Sequence, residues 1–154
     1  MNPNNPIFVL LLIAHATSAI LGFGSISLSG YYVRTLDKRD VDSVRFFSSQ
    51  RLGPKILIAL AFIFGLGLIL LSSDATVLLD SLWLRLGIVA YIAATITALG
   101  MVWPAEAKIR RALGGDTSAR DLSLGQTIKR VYLGSLLVDF LLTTALILMV
   151  TQPG

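Results

Sequence analysis

Residues 82–103, LWLRLGIVAYIAATITALGMVW, form a long apolar run that holds one charged side chain, Arg85. A helix rises about 1.5 Å per residue, so about 20 apolar residues cross the roughly 30 Å of hydrocarbon in a bilayer. Trp83 and Trp103 stand twenty residues apart, as expected for one aromatic ring at each membrane interface. The segment therefore predicts a transmembrane helix whose two ends are marked.

Three further segments of the 154-residue chain have the same character, at 7–32, 56–72 and 128–150. Hydrophobic residues make up 55% of the chain and charged residues 14%, and the mean hydropathy is +0.77. The N-terminal tail MNPNNP lacks the positive charge of a secretory signal, so we expect the first span to be retained. The sequence predicts an all-α fold, a single polytopic membrane domain over 1–154 that forms a four-transmembrane-helix bundle.

Basic residues are concentrated in two connections, after the first and the third span. Twelve of the thirteen lysines and arginines lie there, namely Arg34, Lys38, Arg39, Arg45, Arg51, Lys55, Lys108, Arg110, Arg111, Arg120, Lys129 and Arg130. Short loops rich in Lys and Arg stay on the cytoplasmic side. We therefore expect an up-down-up-down bundle with two basic cytoplasmic loops and both termini outside. The net charge of +4 then reflects orientation, and a nucleic-acid partner is not expected.

The basic connections also carry helix signals. Val41, Val44 and Phe47 recur at helical spacing behind a cap at Asp40, which predicts a short helix at the membrane surface. The stretch PAEAKIRRAL is rich in helix formers and is followed by Gly114. The third span is therefore expected to continue beyond the membrane and to end at that glycine.

Small residues repeat every four positions in three of the spans. They are Ala14, Ser18 and Gly22, then Ala61 and Gly65, then Ala90, Ala94 and Ala98. Close approach of small residues drives helix association in lipid, so these faces are expected to pack inward. The connection between the second and third spans is short, which predicts that these two spans are antiparallel neighbours.

Asp139 is the ionisable residue placed deepest in the fourth span. Ser135 and Thr143, four residues before and after it, complete a polar stripe on one helix face. One hypothesis makes Asp139 a proton-carrying or cation-binding carboxylate, and the other makes it a hydrogen-bonded acid that locks the helix to its neighbours. The nearest partners expected by depth are Gly24 and Ser25 or Thr95 and Thr97.

His15 is the only histidine of the chain, and it lies in the first span ahead of Gly22 and Gly24. A neutral ring nitrogen makes it a candidate ligand for haem, and the glycines would leave room for a planar group. The alternative is a core histidine hydrogen-bonded to Tyr91 or Arg85. Haem with two histidine ligands would need a second subunit, and a copper or zinc site would need more ligands than the spans offer.

Depth separates His15 from Asp139. With Tyr31 and Tyr132 as cytoplasmic ends of their spans, the two residues lie roughly 13 Å apart along the membrane normal. A direct relay between them is therefore not expected. Arg85 is expected to reach the outer surface and to pair with Asp80 or Asp74.

One bacterial family shares several of these motifs. The chain carries His15, Gly22 and Gly24, then RLGPKIL, FGLGL, WLRLGIVAY and a WP…RR exit from the third span. Over positions 8–150 this pattern resembles the bacterial integral membrane proteins grouped as domain of unknown function 2269. That family is distantly similar to the copper-resistance D membrane domain and to membrane protoporphyrinogen oxidase, which also place a histidine early in a helix.

The resemblance implies a four-helix protein of the bacterial cytoplasmic (inner) membrane, with His15 at the position of that histidine. Those relatives use further histidines or a lysine within later helices. This chain has neither, so neither haem oxidase chemistry nor copper transfer is carried over. What the resemblance implies is the fold more than an activity.

Three functions from different classes follow from these observations. The first is a non-enzymatic accessory or scaffold protein, because the sequence has no phosphate loop, metalloprotease motif or nucleophile elbow. The second is a haem-binding or quinol-interacting redox protein that uses His15. The third is a small proton- or cation-coupled carrier that uses Asp139. The expected partners are the lipid bilayer and either a second copy of the chain in a homodimer or a larger membrane complex.

Overall fold

The computed structural model describes residues 5–36, 40–49, 52–72, 75–114 and 124–151. Helix accounts for 92% of this part of the chain, which contains no strand. The helices are α1 (Pro6–Tyr32), α2 (Val41–Ser48), α3 (Gly53–Leu70), α4 (Ala75–Asp80), α5 (Leu82–Thr97), α6 (Trp103–Leu113) and α7 (Leu124–Thr151), and a π-helical turn (Ala98–Val102) joins α5 to α6. The predicted all-α class is confirmed for the described residues.

Four helices of the described chain are long and apolar enough to cross a membrane. They run over Pro6–Val33, Gly53–Leu70, Leu82–Leu113 and Leu124–Thr151. Each overlaps one predicted span, and their exposed surface is rich in large apolar side chains such as Ile20, Leu70 and Phe140. Such a surface suits contact with lipid rather than with water.

Local capping residues fix several helix ends. The Asn5 side chain accepts a hydrogen bond of 3.0 Å from the Ile7 N–H, and Pro6 opens α1. The Asp40 carboxylate caps α2 by accepting from the Ser43 N–H at 3.2 Å. Helix α6 ends at Gly114, as the sequence predicted.

The third membrane helix continues through a proline. The Trp103 N–H donates to the Ala98 carbonyl, five residues back, so the turn before Pro104 is a π turn. Proline has no N–H, and its ring clashes with the carbonyl four residues earlier in a regular α-helix. The wider turn accommodates Pro104, and the helix extends to Leu113 as PAEAKIRRAL predicted.

Helix α1 lies close against α3. A Cβ built on Gly22 would lie 2.8 Å from Ile58 Cγ1, and one on Gly67 would lie 3.5 Å from Leu11 Cδ1. Earlier residues of α1 therefore face later residues of α3, so the two helices are antiparallel. The absent side chain at Gly22 is what permits this backbone approach.

Helix α7 packs in the same close manner on α1 and on the third membrane helix. A Cβ on Gly30 would lie 2.6 Å from Ser135 Cβ, and one on Gly134 would lie 2.8 Å from Val102 Cγ2. Gly87 faces the terminal methyl of Met149 at 3.7 Å by the same measure. The last two contacts make α7 antiparallel to the third membrane helix, and the contact of Ser27 with Asp139, together with that of Gly30, makes it antiparallel to α1.

The small-residue faces do point inward. Ser18, Gly22, Ala61, Ala90, Ala94 and Ala98 are buried, while Ala14 and Gly65 are half-buried. The expected pairing of the second and third spans is incomplete, since α3 lies chiefly along α1. Helix α3 meets α5 at Tyr91, whose ring stacks on Phe62 with a centroid distance of 6.0 Å.

The predicted surface helix exists as α2, and the predicted face is buried in part: Phe47 is buried and Val44 packs against the core, but Val41 does not. Ser43, Phe46 and Phe47 are buried, whereas Val41 is 78% exposed. The Phe46 ring packs on Tyr32 at the end of α1, with the ring centroids 4.6 Å apart. Aromatic packing of Phe46 thus adds to the contacts of Val44 and Phe47 in setting the orientation of α2.

Gly22→Ala is expected to lower the free energy of unfolding by about 1–3 kcal/mol, because its Cβ would overlap Ile58. Gly24→Ala is the matched control: it makes the same chemical change two residues away, where a Cβ meets nothing within 4 Å. The measurement is unfolding in mixed micelles titrated with a denaturing detergent. Equal stability of the two variants would contradict close packing of α1 on α3.

Candidate functional site

His15 contacts the backbone of α3. Its Nδ1 lies 2.7 Å from the Ala61 carbonyl oxygen. A carbonyl oxygen only accepts, so Nδ1 carries the hydrogen and donates it. A Cβ on Gly65 would lie 3.1 Å from His15 Cε1, so glycine at that position leaves room for the ring. The prediction that His15 forms a hydrogen bond with Tyr91 or Arg85 is wrong, because α1 packs on α3 at this depth.

The second ring nitrogen of His15 is left with its lone pair. Within the described residues Nε2 has no hydrogen-bond partner. A backbone carbonyl on Nδ1–H fixes the tautomer in which Nε2 is the ligating atom. The described part of the chain contains no group of three or more His, Cys, Asp or Glu residues that would hold a metal ion. Because His15 is the only histidine of the chain, a haem with two histidine ligands would need a second subunit.

Asp139 contacts α1 through Ser27, whose hydroxyl donates to Asp139 Oδ1. Neither Gly24 nor Ser25 is the partner; the Ser25 hydroxyl instead donates to its own helix at the Gly22 carbonyl, 2.7 Å away. The register explains the difference. Gly30 faces Ser135, so in antiparallel helices the residue one turn earlier on α1 faces the residue one turn later on α7.

The other expected partners of Asp139 are also engaged within their own helix. Thr95 donates to the Tyr91 carbonyl at 2.9 Å, and Thr97 donates to the Ala93 carbonyl at 2.8 Å. Hydroxyls in membrane helices commonly bond back to the carbonyl four residues earlier. These threonines lie on the helix that α7 contacts, but their hydroxyls are not directed to the carboxyl group.

The polar stripe around Asp139 does not converge on its carboxyl group. Ser135 is buried against Gly30 and donates to the Val131 carbonyl at 2.8 Å. Thr143 is exposed and donates to the Asp139 backbone carbonyl, also at 2.8 Å. The stripe is thus one cross-helix contact flanked by two hydroxyls that bond to their own helix. The carrier hypothesis for Asp139 stays a prediction.

Tyr91 joins three membrane helices. Its hydroxyl donates to the Ile58 carbonyl of α3 at 2.5 Å. Its ring meets the edge of Phe23 of α1 at a centroid distance of 5.5 Å and stacks on Phe62 of α3. Tyr91 therefore holds α5 against α1 and α3 by both apolar and polar contact.

Arg85 lies at the surface, at the start of α5. It makes an ion pair with Asp80, one of its two expected partners, and its Nε donates to the Leu79 carbonyl at 2.7 Å. The other expected partner, Asp74, lies outside the described residues. The side chains of Arg85 and Asp80 are 58% and 79% exposed, so this pair contributes little to stability.

Glu106 makes a cross-helix contact that the sequence analysis missed. The buried Ser29 hydroxyl of α1 lies 2.5 Å from Glu106 Oε1, with the Ser25 carbonyl 3.0 Å away. Two sequence signals pointed to this contact: the serines in the second half of the first span, and a glutamate one turn past Trp103 on a continuing helix.

Basic side chains cover aromatic rings at the same end of the bundle. The Arg34 guanidinium lies 4.5 Å from the centroid of the Tyr132 ring, and Lys55 Nζ lies 4.9 Å from that of Trp103. Both distances lie within the range of a cation–π interaction. The contacts link the end of α1 to the start of α7, and the start of α3 to the start of α6.

No family model, curated protein or solved structure matches this chain.

A double-mutant cycle on Ser27→Ala and Asp139→Ala measures the central polar contact. We expect a coupling energy between about 0.6 kcal/mol, the average for interhelical hydrogen bonds in membranes, and about 1.7 kcal/mol, the largest value. The readout is unfolding in mixed micelles. A second cycle pairs Ser27→Ala with Thr143→Val, whose hydroxyl bonds to its own helix, and should give coupling below about 0.5 kcal/mol. Equal coupling in the two cycles would show that Ser27 does not hold Asp139.

Proposed function

We propose that the chain is a small four-helix integral membrane protein with a non-enzymatic accessory or scaffold function. The observation that carries this proposal is that polar side chains on the spanning helices bond across helices, through His15, Ser27, Ser29 and Tyr91. Within the described residues, no buried side-chain nitrogen or oxygen lacks a hydrogen-bond partner. Polar groups used in this way fix the register of helices.

The cost of polar groups in lipid supports this proposal. An unpaired carboxylate or hydroxyl in hydrocarbon is expensive, so such residues persist where they bond a neighbour or perform chemistry. The partners of Ser27 and Tyr91 come from other helices and satisfy the first condition. An accessory protein needs this rigidity, because its surface must keep one shape for a lipid or protein partner.

We also propose the orientation of the bundle. Antiparallel contacts of α1 with α3 and of α7 with both neighbours support an up-down-up-down order. The basic residues that follow the first and third spans favour placing those connections in the cytoplasm, with both termini outside. The resemblance to domain of unknown function 2269 supports a bacterial inner membrane as the location. A homodimer or a larger membrane complex is the proposed assembly.

Single cysteines test the orientation directly, because the natural chain has none. Thr151→Cys is expected to react with a membrane-impermeant maleimide in intact spheroplasts, whereas Lys108→Cys should react only after the membrane is opened. Both positions are exposed at the surface of the protein, so access depends on the side of the membrane. Labelling of Lys108→Cys in intact spheroplasts, with Thr151→Cys protected, would reverse the orientation.

One specific observation favours a second function, haem binding or quinol interaction at His15. The Ala61 carbonyl takes Nδ1–H and leaves the Nε2 lone pair for a ligand. Haem would supply one-electron chemistry there, and His15 would hold its iron as one axial ligand. In a homodimer, the second copy of His15 would supply the other ligand.

Absorption spectra of the purified protein, oxidised and dithionite-reduced, distinguish the two functions. The scaffold function predicts a folded protein without a Soret band, even after incubation with haem. The redox function predicts a reducible Soret band that His15→Ala removes. His15→Gln is the folding control, because its amide can still donate to the Ala61 carbonyl but is a poor iron ligand. A haem band that survives both substitutions would contradict His15 as the ligand.

A further inference from the structure

A cavity lies between α1, α2, α3 and α6, at the end of the bundle where the basic residues are concentrated. Its volume is about 80 Å³, several times the roughly 10–15 Å³ that holds one water molecule. Its wall includes Ser29, Phe46, Lys55, Trp103, Glu106 and Arg110. A space of this size with charged walls, next to the membrane interface, is suited to a small polar group.

The charges of the cavity are of both signs. Glu106 and Arg110 are one helical turn apart on α6, and Lys55 reaches the cavity from the start of α3. The Ser29 hydroxyl, 2.5 Å from Glu106 Oε1, holds the carboxyl group in place. Trp103, with Lys55 Nζ 4.9 Å from its ring centroid, marks the level of the interface. The cavity thus offers fixed oxygen acceptors beside two cationic groups.

We propose that this cavity binds the headgroup of a phospholipid that carries a primary ammonium, the phosphatidylethanolamine class. Lys55 and Arg110 would bind the phosphate, and Glu106 would accept hydrogen bonds from the ammonium group. This inference rests on the proposed function, in that the helices must span a bilayer to place the cavity among headgroups. Basic pockets between membrane helices are a known form of site for anionic lipid headgroups, and Glu106 adds the acceptor that an ammonium group needs.

The two signs of charge distinguish this headgroup class from others. Phosphatidylcholine has the same phosphate, but its quaternary ammonium has no N–H to donate to Glu106. Phosphatidylglycerol would satisfy Lys55 and Arg110 but would place a neutral glycerol at the carboxyl group. Attraction by surface charge alone would give Lys108, which is exposed and outside the cavity, the same importance as Lys55.

The test uses delipidated full-length protein in a mild detergent, with native mass spectrometry to measure lipid binding. The probes are dioleoyl phosphatidylethanolamine, the choline and glycerol lipids with the same chains, and soluble glycerophosphoethanolamine. Lys55→Gln is expected to weaken binding of the ethanolamine lipid about tenfold, the size expected for one hydrogen bond to a charged group. The control Lys108→Gln removes the same charge and should change binding less than about threefold.

A second matched pair lies on α6, where Arg110→Gln should weaken binding and Arg111→Gln should not, because Arg111 is exposed and outside the cavity. Glu106→Gln should remove the preference for ethanolamine over choline while leaving phosphate binding. Stability of each variant is checked by unfolding in micelles. Lys55→Gln changes an exposed side chain, so it keeps the test valid if Glu106→Gln fails to fold.

Three outcomes would overturn the proposal. Equal binding of all three lipids by the natural protein would show that the cavity does not select the ethanolamine headgroup. Equal effects of Lys55→Gln and Lys108→Gln would show that the lipid is attracted by surface charge alone and not by the cavity. Binding of soluble glycerophosphoethanolamine without the lipid would assign the cavity to a free metabolite. Failure of the proposed function and orientation is separate, because it would appear in the absorption spectra and the cysteine labelling and not in the lipid measurements.

Discussion

The close approach of α1 to its neighbours is the constraint on which the other contacts depend. Lipid offers helices no hydrophobic reason to associate, so backbones must come close enough for packing and for short polar side chains to reach across. Gly22 faces α3 and Gly30 faces α7. At about 100° per residue these two positions are about 80° apart around α1, so one helix contacts two neighbours at glycines. A serine hydroxyl reaches Asp139 only because the backbones are this close.

The sequence allowed the number and the ends of the membrane helices to be predicted. Apolar runs and the glycine that follows PAEAKIRRAL are local signals, and both were confirmed by the described helices. The tryptophans as markers of the membrane interfaces stay a prediction. The order of neighbours was harder to predict. A membrane helix is apolar on its lipid face and on its packed face alike, so hydrophobic periodicity does not show which side meets which helix. The pairing of α3 with α1 therefore did not follow from loop length.

The polar partners show the same limit. The depths estimated along the membrane normal, which helix tilt shifts by several ångströms, pointed to Ser25 as a partner of Asp139 on the first span. The partner in the structure is Ser27. Register is set by Gly30 on Ser135, a tertiary contact that no spacing within one helix reveals. Similarly, the contact of Phe46 with Tyr32 was not predicted, and Val41, which was expected on the packed face of α2, is exposed. The presence of each helix could be predicted from its own residues, whereas the partner of each polar side chain depends on how the helices pack against one another.

The hydrogen bonds between helices have different consequences for Asp139 and for His15, the two candidate functional residues within the membrane. The Asp139 carboxyl group accepts a hydrogen bond from Ser27, so a cation bound at the same oxygen would compete with a bond that holds α7 to α1. His15 uses Nδ1 to hold α1 against α3, and its Nε2 has no hydrogen-bond partner among the described residues. Ser27 is twelve residues from His15 on α1, about 18 Å along the helix, so the two candidates are independent. Their functions need not be argued together.

The two ends of the bundle differ chemically, and the continuation of the third membrane helix is the reason. At the start of α5 the charged pair of Arg85 and Asp80 is exposed to solvent, where screening leaves it weak. At the other end, the π turn lets the helix pass Pro104 and carry Glu106 and Arg110 one and two turns beyond Trp103. Had the helix ended at Trp103, those charges would have lain in a loop. Because it continues, Glu106 is held by Ser29 beside a cavity, where a charged group can select a ligand.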